Sequence, residues 1–156
     1  MSRAFVKESN GHEADTPTPE LRVSEHRNLV TANGLRLIEA EVRRIESALS
    51  EARRDSDEAA IARLTRDLRY WASRRSSAEV VAPPQNDSVI RFGTFVSLHR
   101  ADGSDVTFQI VGEDEAAPAS GRISYVSPLA RSLLGRRPGD TIRFGNSDAE
   151  ISAIRT

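Results

Sequence analysis

The chain has 156 residues, a formal net charge of −1, 38% hydrophobic and 29% charged residues, and no cysteine. That charge balance argues against non-specific binding to DNA or to an acidic membrane, which need a net basic field, while leaving room for a basic patch on one face. The lack of cysteine excludes disulfides, thiol nucleophiles and thiolate metal sites, and no apolar run approaches the ~20 residues of a membrane span.

Residues 1–28 read as a flexible tail. "SNGHEADTPTPE" is polar, carries Pro17 and Pro19 and shows no apolar period, so its ordering entropy has little burial to offset it. "AFV" at Ala4 to Val6 is a candidate anchor within it. The start has no hydrophobic stretch of signal-peptide length, and the cytoplasm is the expected compartment.

A heptad seam begins after Thr31, with Leu35, Ile38, Val42, Ile45, Leu49 and Ala52 spaced alternately three and four apart. Thr31 suits an N-cap, although Gly34 weakens the first turn. Ile61, Leu64, Leu68 and Trp71 continue the spacing beyond a polar break, and Ala78 falls in phase after Arg75 interrupts it. Two seams joined by a short polar link predict an antiparallel helical hairpin over 29–82, its arms ~20 to 22 residues and about 30 Å long. The break holds Asp55, Ser56, Asp57 and Glu58, with Asp55 or Ser56 the expected cap of the second helix. Those three carboxylates are either a working tip or the solvated bend of the hairpin.

"APPQNDS" at Ala82 to Ser88 is a boundary, placing a linker at 83–88. From 89 to 156 the period becomes two. "TFVSLHR", "VTFQIVG", "GRISYV", "DTIRF" and "AEISAI" are β-branched and aromatic runs separated by turn-forming stretches. One short helix interrupts them, with Ser127 as N-cap, Pro128 at its first position and Gly135 as terminator. The fold class is therefore α+β: a helical hairpin followed by a small, mostly antiparallel sheet domain carrying one helix.

Self-contained chemistry finds little support. His12, His26 and His99 are scattered, with no pair at metal-ligand spacing, and no serine lies in a nucleophile elbow. "GRRPGD" at Gly135 to Asp140 reads as a helix end and turn rather than a phosphate loop. Asp55, Asp57 and Glu58 are too few for a metal site of their own, since a hard divalent ion takes about six oxygens. They suffice only to complete a site that another macromolecule half supplies.

The C-terminal part, from "VIRFGTFVSLHR" through "FQIVGEDEA" and "ISYVSPLARSLLG" to "GDTI", closely resembles the C-terminal domain of the bacterial GreA/GreB transcription elongation factors. The likeness covers about residues 29 to 156, strongly after Val89. It implies an FKBP-like sheet domain that is not a prolyl isomerase and docks on the rim of the RNA polymerase secondary channel. The docking residues it implies are Val126, Ser127, Pro128 and Leu129. It also implies a hairpin entering that channel, whose acidic tip helps hold a magnesium ion and a water in the polymerase active site as backtracked RNA is cut. The chain itself would then bind no cofactor, catalyse nothing alone, touch nascent RNA only indirectly, make no membrane contact and be monomeric.

The tip departs from the family's Gly-Asp-Leu-Ser-Glu-Asn-Ala-Glu-Tyr. It reads "RRDSDEAAIARL", keeping the Asp–x–x–Glu spacing only as Asp55 to Glu58. The arms look shorter by roughly two turns each, a reach reduced by ~10 Å, whereas a carboxylate must come within ~2 Å of a metal to bind it. Two other outcomes follow: a competitor that occupies the channel without supporting cleavage, and a coiled-coil adaptor using Tyr70 and Trp71. Trp71 also lies in heptad phase, which suits simple packing in the seam.

Overall fold

The computed structural model describes residues 21–86 and 88–156. A two-residue strand, β1 (Leu29–Val30), leads into α1 (Ala32–Arg54), which returns as α2 (Glu58–Ser77) and ends in β2 (Glu79–Val80). Beyond the linker come β3 (Phe95–Arg100), β4 (Asp105–Val111), β5 (Arg122–Ser124), α3 (Pro128–Leu133), β6 (Thr141–Phe144) and β7 (Ser147–Arg155). No helix among the described residues is long and apolar enough to cross a membrane. Of the expected tail, residues 1–20, with Ala4 to Val6 and His12, lie outside the described residues.

The seam of α1 packs as its spacing predicts. Ile38, Val42, Ile45, Leu49 and Ala52 are buried, and Thr31 caps the helix by accepting the Gly34 N–H at 2.9 Å. Ile45, Leu49, Ala52 and Leu64 form the hairpin's own core, with Ala48, Ala60, Ile61, Leu68 and Trp71 packed around them. On α2 only Leu64 and Arg74 are fully buried, because two helices alone cannot cover both sides of a seam. The expected continuation past Arg75 to Ala78 is corrected here: Arg75 is exposed, and Ala78 is an extended C-cap rather than a seam residue. The last turn of α2 faces the sheet domain, so the residue it buries is set by that neighbour.

The cap of α2 also differs from expectation. Neither Asp55 nor Ser56 fills it; the Asp57 side chain accepts the Ala60 N–H at 3.0 Å. Asp55 instead closes α1, its N–H donating to the Glu51 carbonyl at 3.0 Å. Ser56 carries the reversal with φ of 55°, the left-handed conformation a link this short demands. The cap consequently falls one residue later.

β1 and β2 pair in parallel, Leu29 with Glu79 and Val30 with Val80, and draw the two ends of the hairpin together at its base. The larger sheet has the order β5-β4-β3-β7-β6. Three of its ladders are antiparallel, but β4 and β5 run parallel, making the sheet mixed rather than antiparallel throughout. The reason is the connection between them, two short 3₁₀ turns at Glu113–Glu115 and Pro118–Ser120 that carry the chain back far enough for Arg122 to start opposite Gln109 and run beside the last three residues of β4. Val96, Leu98, Ile110, Ile123, Ile142 and Ile151 pack with Ile90, Phe92, Ala130 and Leu133 of the covering segments. Ser127 caps α3 through the Ala130 N–H at 3.2 Å, with Pro128 at the first helical position.

Candidate functional site

The hairpin tip lies about 23 residues of helix from the base, roughly 35 Å at 1.5 Å per residue. Asp55, Ser56, Asp57 and Glu58 are all exposed there. Their roles differ. Asp57 is committed to capping α2, so one of its oxygens already accepts a backbone N–H. Glu58 stands in the first turn of α2, where a carboxylate complements the helix dipole. Asp55 and Glu58 have no side-chain hydrogen bond among the described residues and are the carboxylates free to reach outward. Among the described residues no group of three or more His, Asp or Glu is placed to hold a metal ion.

The orientation of the tip is set at the other end of the hairpin, by residues that sequence reasoning missed. The 3₁₀ turn after β4, "EDE" at Glu113–Glu115, presses three carboxylates onto the hairpin base. Arg74, 1% exposed, places Nε 2.5 Å from Asp114 Oδ2 and a terminal nitrogen 3.7 Å from Glu113 Oε2. The Tyr70 hydroxyl donates to Asp114 Oδ1 at 2.9 Å. Glu115, itself buried, accepts from the Thr31 hydroxyl at 2.6 Å and from the Asn33 amide at 2.7 Å. Ser24 adds a bond to Glu113 at 3.0 Å, Asn28 donates to the Arg74 carbonyl at 2.7 Å, and the Tyr125 hydroxyl donates to the Arg27 carbonyl at 2.6 Å. The residues just before the hairpin, counted with the tail on sequence grounds, are thus tied to both parts.

Two glycines permit this contact. A Cβ on Gly112 would lie 2.4 Å from the Leu29 carbonyl oxygen, and one on Gly34 would lie 2.8 Å from Glu115 Oε2. The Gly34 that weakens the helix start intrinsically is therefore what lets Glu115 reach the cap. Burial, followed by the hydrogen bond to Asp114, pushes the Tyr70 phenol up to about 12. Burial, with Glu113 nearby, also raises that of Tyr125.

The third region is the start of α3. Pro128 is exposed, and Val126, Ser127 and Leu129 are half-buried. Pro128, Leu129 and Ser132 form one wall of a groove whose other wall is Arg143, Phe144 and Gly145, around the β6–β7 turn. Of the two remaining histidines, His26 is exposed and His99 pairs with Asp105 at 2.8 Å on the strand surface. Tyr70 and Trp71 stack edge to face at 5.2 Å, both half-buried.

The chain is thus a two-helix hairpin fixed by its base to a five-stranded sheet. Residues 85–154 match the family described as transcription elongation factor, GreA/GreB, C-terminal. A transcription elongation factor GreA of Acidiphilium cryptum is 36% identical, the alignment covering 81% of this chain and 96% of that one. For a GreA of Pseudomonas aeruginosa the identity is 32%, with 81% and 96% covered. For a GreB of Neisseria meningitidis it is 40%, over 58% of this chain and 60% of the relative. Among solved structures, GreA factor homolog 1 (Gfh1) of Thermus thermophilus aligns at 22% identity over 84% of this chain and 100% of that one, with a TM-score of 0.42. The chain belongs to the GreA/GreB family of transcription elongation factors.

Proposed function

We propose that this factor acts on bacterial RNA polymerase from the secondary channel. The sheet domain grips the channel rim through Val126, Ser127, Pro128 and Leu129, and the hairpin extends inward. The chain is not an enzyme. At most, Asp55 and Glu58 contribute oxygens to the polymerase's own active site when backtracked RNA is cut, the metal chemistry being the polymerase's. What carries the reading is the combination of a GreA/GreB C-terminal domain with a hairpin whose far end exposes unpaired carboxylates. Because that domain's EDE turn ties down the hairpin base through Arg74, the finger is a rigid extension of it rather than a tethered appendage.

The test is transcript cleavage in stalled, backtracked complexes. Under this reading the protein shortens the transcript, and the double change Asp55→Ala with Glu58→Ala abolishes the effect while polymerase binding persists. Failure to bind polymerase at micromolar protein refutes the proposal as a whole.

A second reading, a channel-occupying competitor without cleavage support, is favoured by two observations. Asp57 is used in capping. The alignment with the Acidiphilium relative spans 156 positions yet takes up only 81% of this 156-residue chain, so part of that relative's aligned length has no counterpart here. In the same assay a competitor leaves the transcript intact and blocks cleavage by an active Gre factor. An adaptor role is disfavoured, because Tyr70 and Trp71 are engaged within the molecule, the first on Asp114 and the second in the hairpin core.

A further inference from the structure

The larger sheet has two faces, and only one of them meets the core. Val96, Ile110, Ile123 and Ile154 point inward, so their chain neighbours Phe95, Gln109, Arg122 and Arg155 stand on the other side. The register sets these four in one row: Arg155 lies opposite Phe95, Phe95 opposite Gln109, and Gln109 opposite Arg122. At ~4.8 Å between strands, the row spans about 14 Å from one arginine to the other. Phe95, Gln109 and Arg122 are half-buried and Arg155 is exposed. The Arg155 guanidinium rests 5.6 Å from the centroid of the Phe95 ring, an exposed contact that another ring can displace. Among the described residues, the Gln109 side-chain amide and the Arg122 guanidinium have no hydrogen-bond or ion-pair partner.

The row floors a recess of about 360 Å³ bounded by Thr107, Ser120 and Gly121. Gly121 keeps that border low: its carbonyl accepts the Gln109 N–H at 2.8 Å, and a Cβ there would lie 2.9 Å from the Thr107 carbonyl oxygen. Charge over the row is positive. The first carboxylates further along these strands, Asp105 and Glu150, both stand opposite His99, four residues and about 13 Å beyond Phe95. Asp105 is already paired with His99 at 2.8 Å. An aromatic ring on a flat sheet stacks a nucleobase, guanidiniums without partners take phosphates, and an amide both donates to and accepts from a base edge. An acidic peptide would use the two charges but leave the ring and the amide without a role.

We propose that this row is a platform for single-stranded nucleic acid: a base stacks on Phe95, Gln109 hydrogen-bonds its edge, and Arg122 and Arg155 hold the phosphates on either side. A duplex keeps its bases stacked on one another and cannot offer a ring to Phe95. The platform lies on residues outside the docking segment Val126 to Leu129 and stands whether or not that segment grips polymerase. With the chain at −1 and two phosphates neutralised, binding is modest, a Kd on the order of 10–100 μM at low salt.

The experiment titrates the full chain into a fluorescently labelled single strand of about 12 pyrimidine nucleotides, across a range of salt. The affinity falls with salt at a log–log slope of about −1.4, each phosphate contributing ~0.7. Arg122→Gln with Arg155→Gln removes most of that slope. Phe95→Ala weakens binding about tenfold and leaves the slope as it was, whereas Phe95→Tyr retains the affinity. Arg136→Gln with Arg137→Gln, an equal loss of charge on the exposed loop after α3, changes affinity by less than about twofold. Neither arginine of the row is buried, so the double arginine variant keeps the test decisive should Phe95→Ala fail to fold. Four results overturn the proposal: no binding at about 100 μM protein, an equal loss in the variant at Arg136 and Arg137, a duplex bound as tightly as the single strand, or folded Phe95→Ala protein that binds unchanged. Displacement of the strand by an equal concentration of polyglutamate overturns it too, since the row would then recognise carboxylates of a protein. Because polymerase is absent from the assay, none of these results bears on docking.

Discussion

Arg74 offers the most direct test of the junction. It is 1% exposed, and its partner Asp114 has a side chain only 9% exposed. Arg74→Ala leaves that carboxylate with the Tyr70 hydroxyl alone, beside Glu113 of like charge. Removing one member of a buried pair typically costs about 3–5 kcal/mol, a large share of the roughly 5–15 kcal/mol of a whole domain. With m near 2 kcal/mol/M, the urea midpoint falls by about 2 M. Trp71 is the only tryptophan in the chain and touches Tyr70, so its fluorescence reports the junction directly. Arg75→Ala, one residue on and exposed, shifts stability by less than about 0.5 kcal/mol. Replacing both partners, Arg74→Met with Asp114→Leu, recovers part of the loss because the Asp114 carboxylate goes with its partner, leaving only the more exposed Glu113 without Arg74. Should Arg74→Ala cost under about 1 kcal/mol, the pair behaves as a surface bridge, and the argument that it orients the finger is wrong.

Three other outcomes can be checked separately. Ser56→Gly relieves a left-handed serine at φ of 55° and raises thermal stability by about 0.5–1 kcal/mol, whereas a loss would mean the serine side chain supports the turn. Gly112→Ala drives a Cβ into the Leu29 carbonyl, costs about 1–3 kcal/mol, and speeds hydrogen exchange at the Glu79 and Val81 amides that bond to Asn28 and Val30; unchanged protection there refutes the close approach. In Tyr125→Phe protein, where Tyr70 is the remaining tyrosine, tyrosinate absorbance titrates near 12 instead of about 10. Because the folded state raises this pKa, the stability it contributes is present below about pH 10 and lost as pH climbs through about 12. A midpoint near 10 in folded protein contradicts the Asp114 contact.

Much of the architecture was legible residue by residue. The spacing of Ile38, Val42, Ile45 and Leu49 matched their burial, Thr31 and Ser127 cap the helices they precede, and each alternating run after Val89 became a strand. The Asp57 cap was missed by one position because several capping residue types stand in a row, and only the backbone reversal at Ser56 selects among them. The stretches between the strand runs read as turns, and Glu113–Glu115 is one, while its carboxylates found partners some 40 and 80 residues away. A faint signal existed: Arg74 stands three residues after Trp71, at a spacing the seam allows, directly beside the Arg75 that was taken as its interruption.

Periodicity, caps and turn residues thus determined the helices, the strands and the polar link between the arms, because each reports interactions within a few residues of itself. Tertiary structure alone decided which arginine is buried, why Gly34 and Gly112 cannot carry side chains, that β4 and β5 pair in parallel, and that Phe144 and Leu129 share one groove. These are contacts between segments distant in sequence. Their energies depend on which surfaces meet once the chain has packed, a quantity no local pattern of residues encodes.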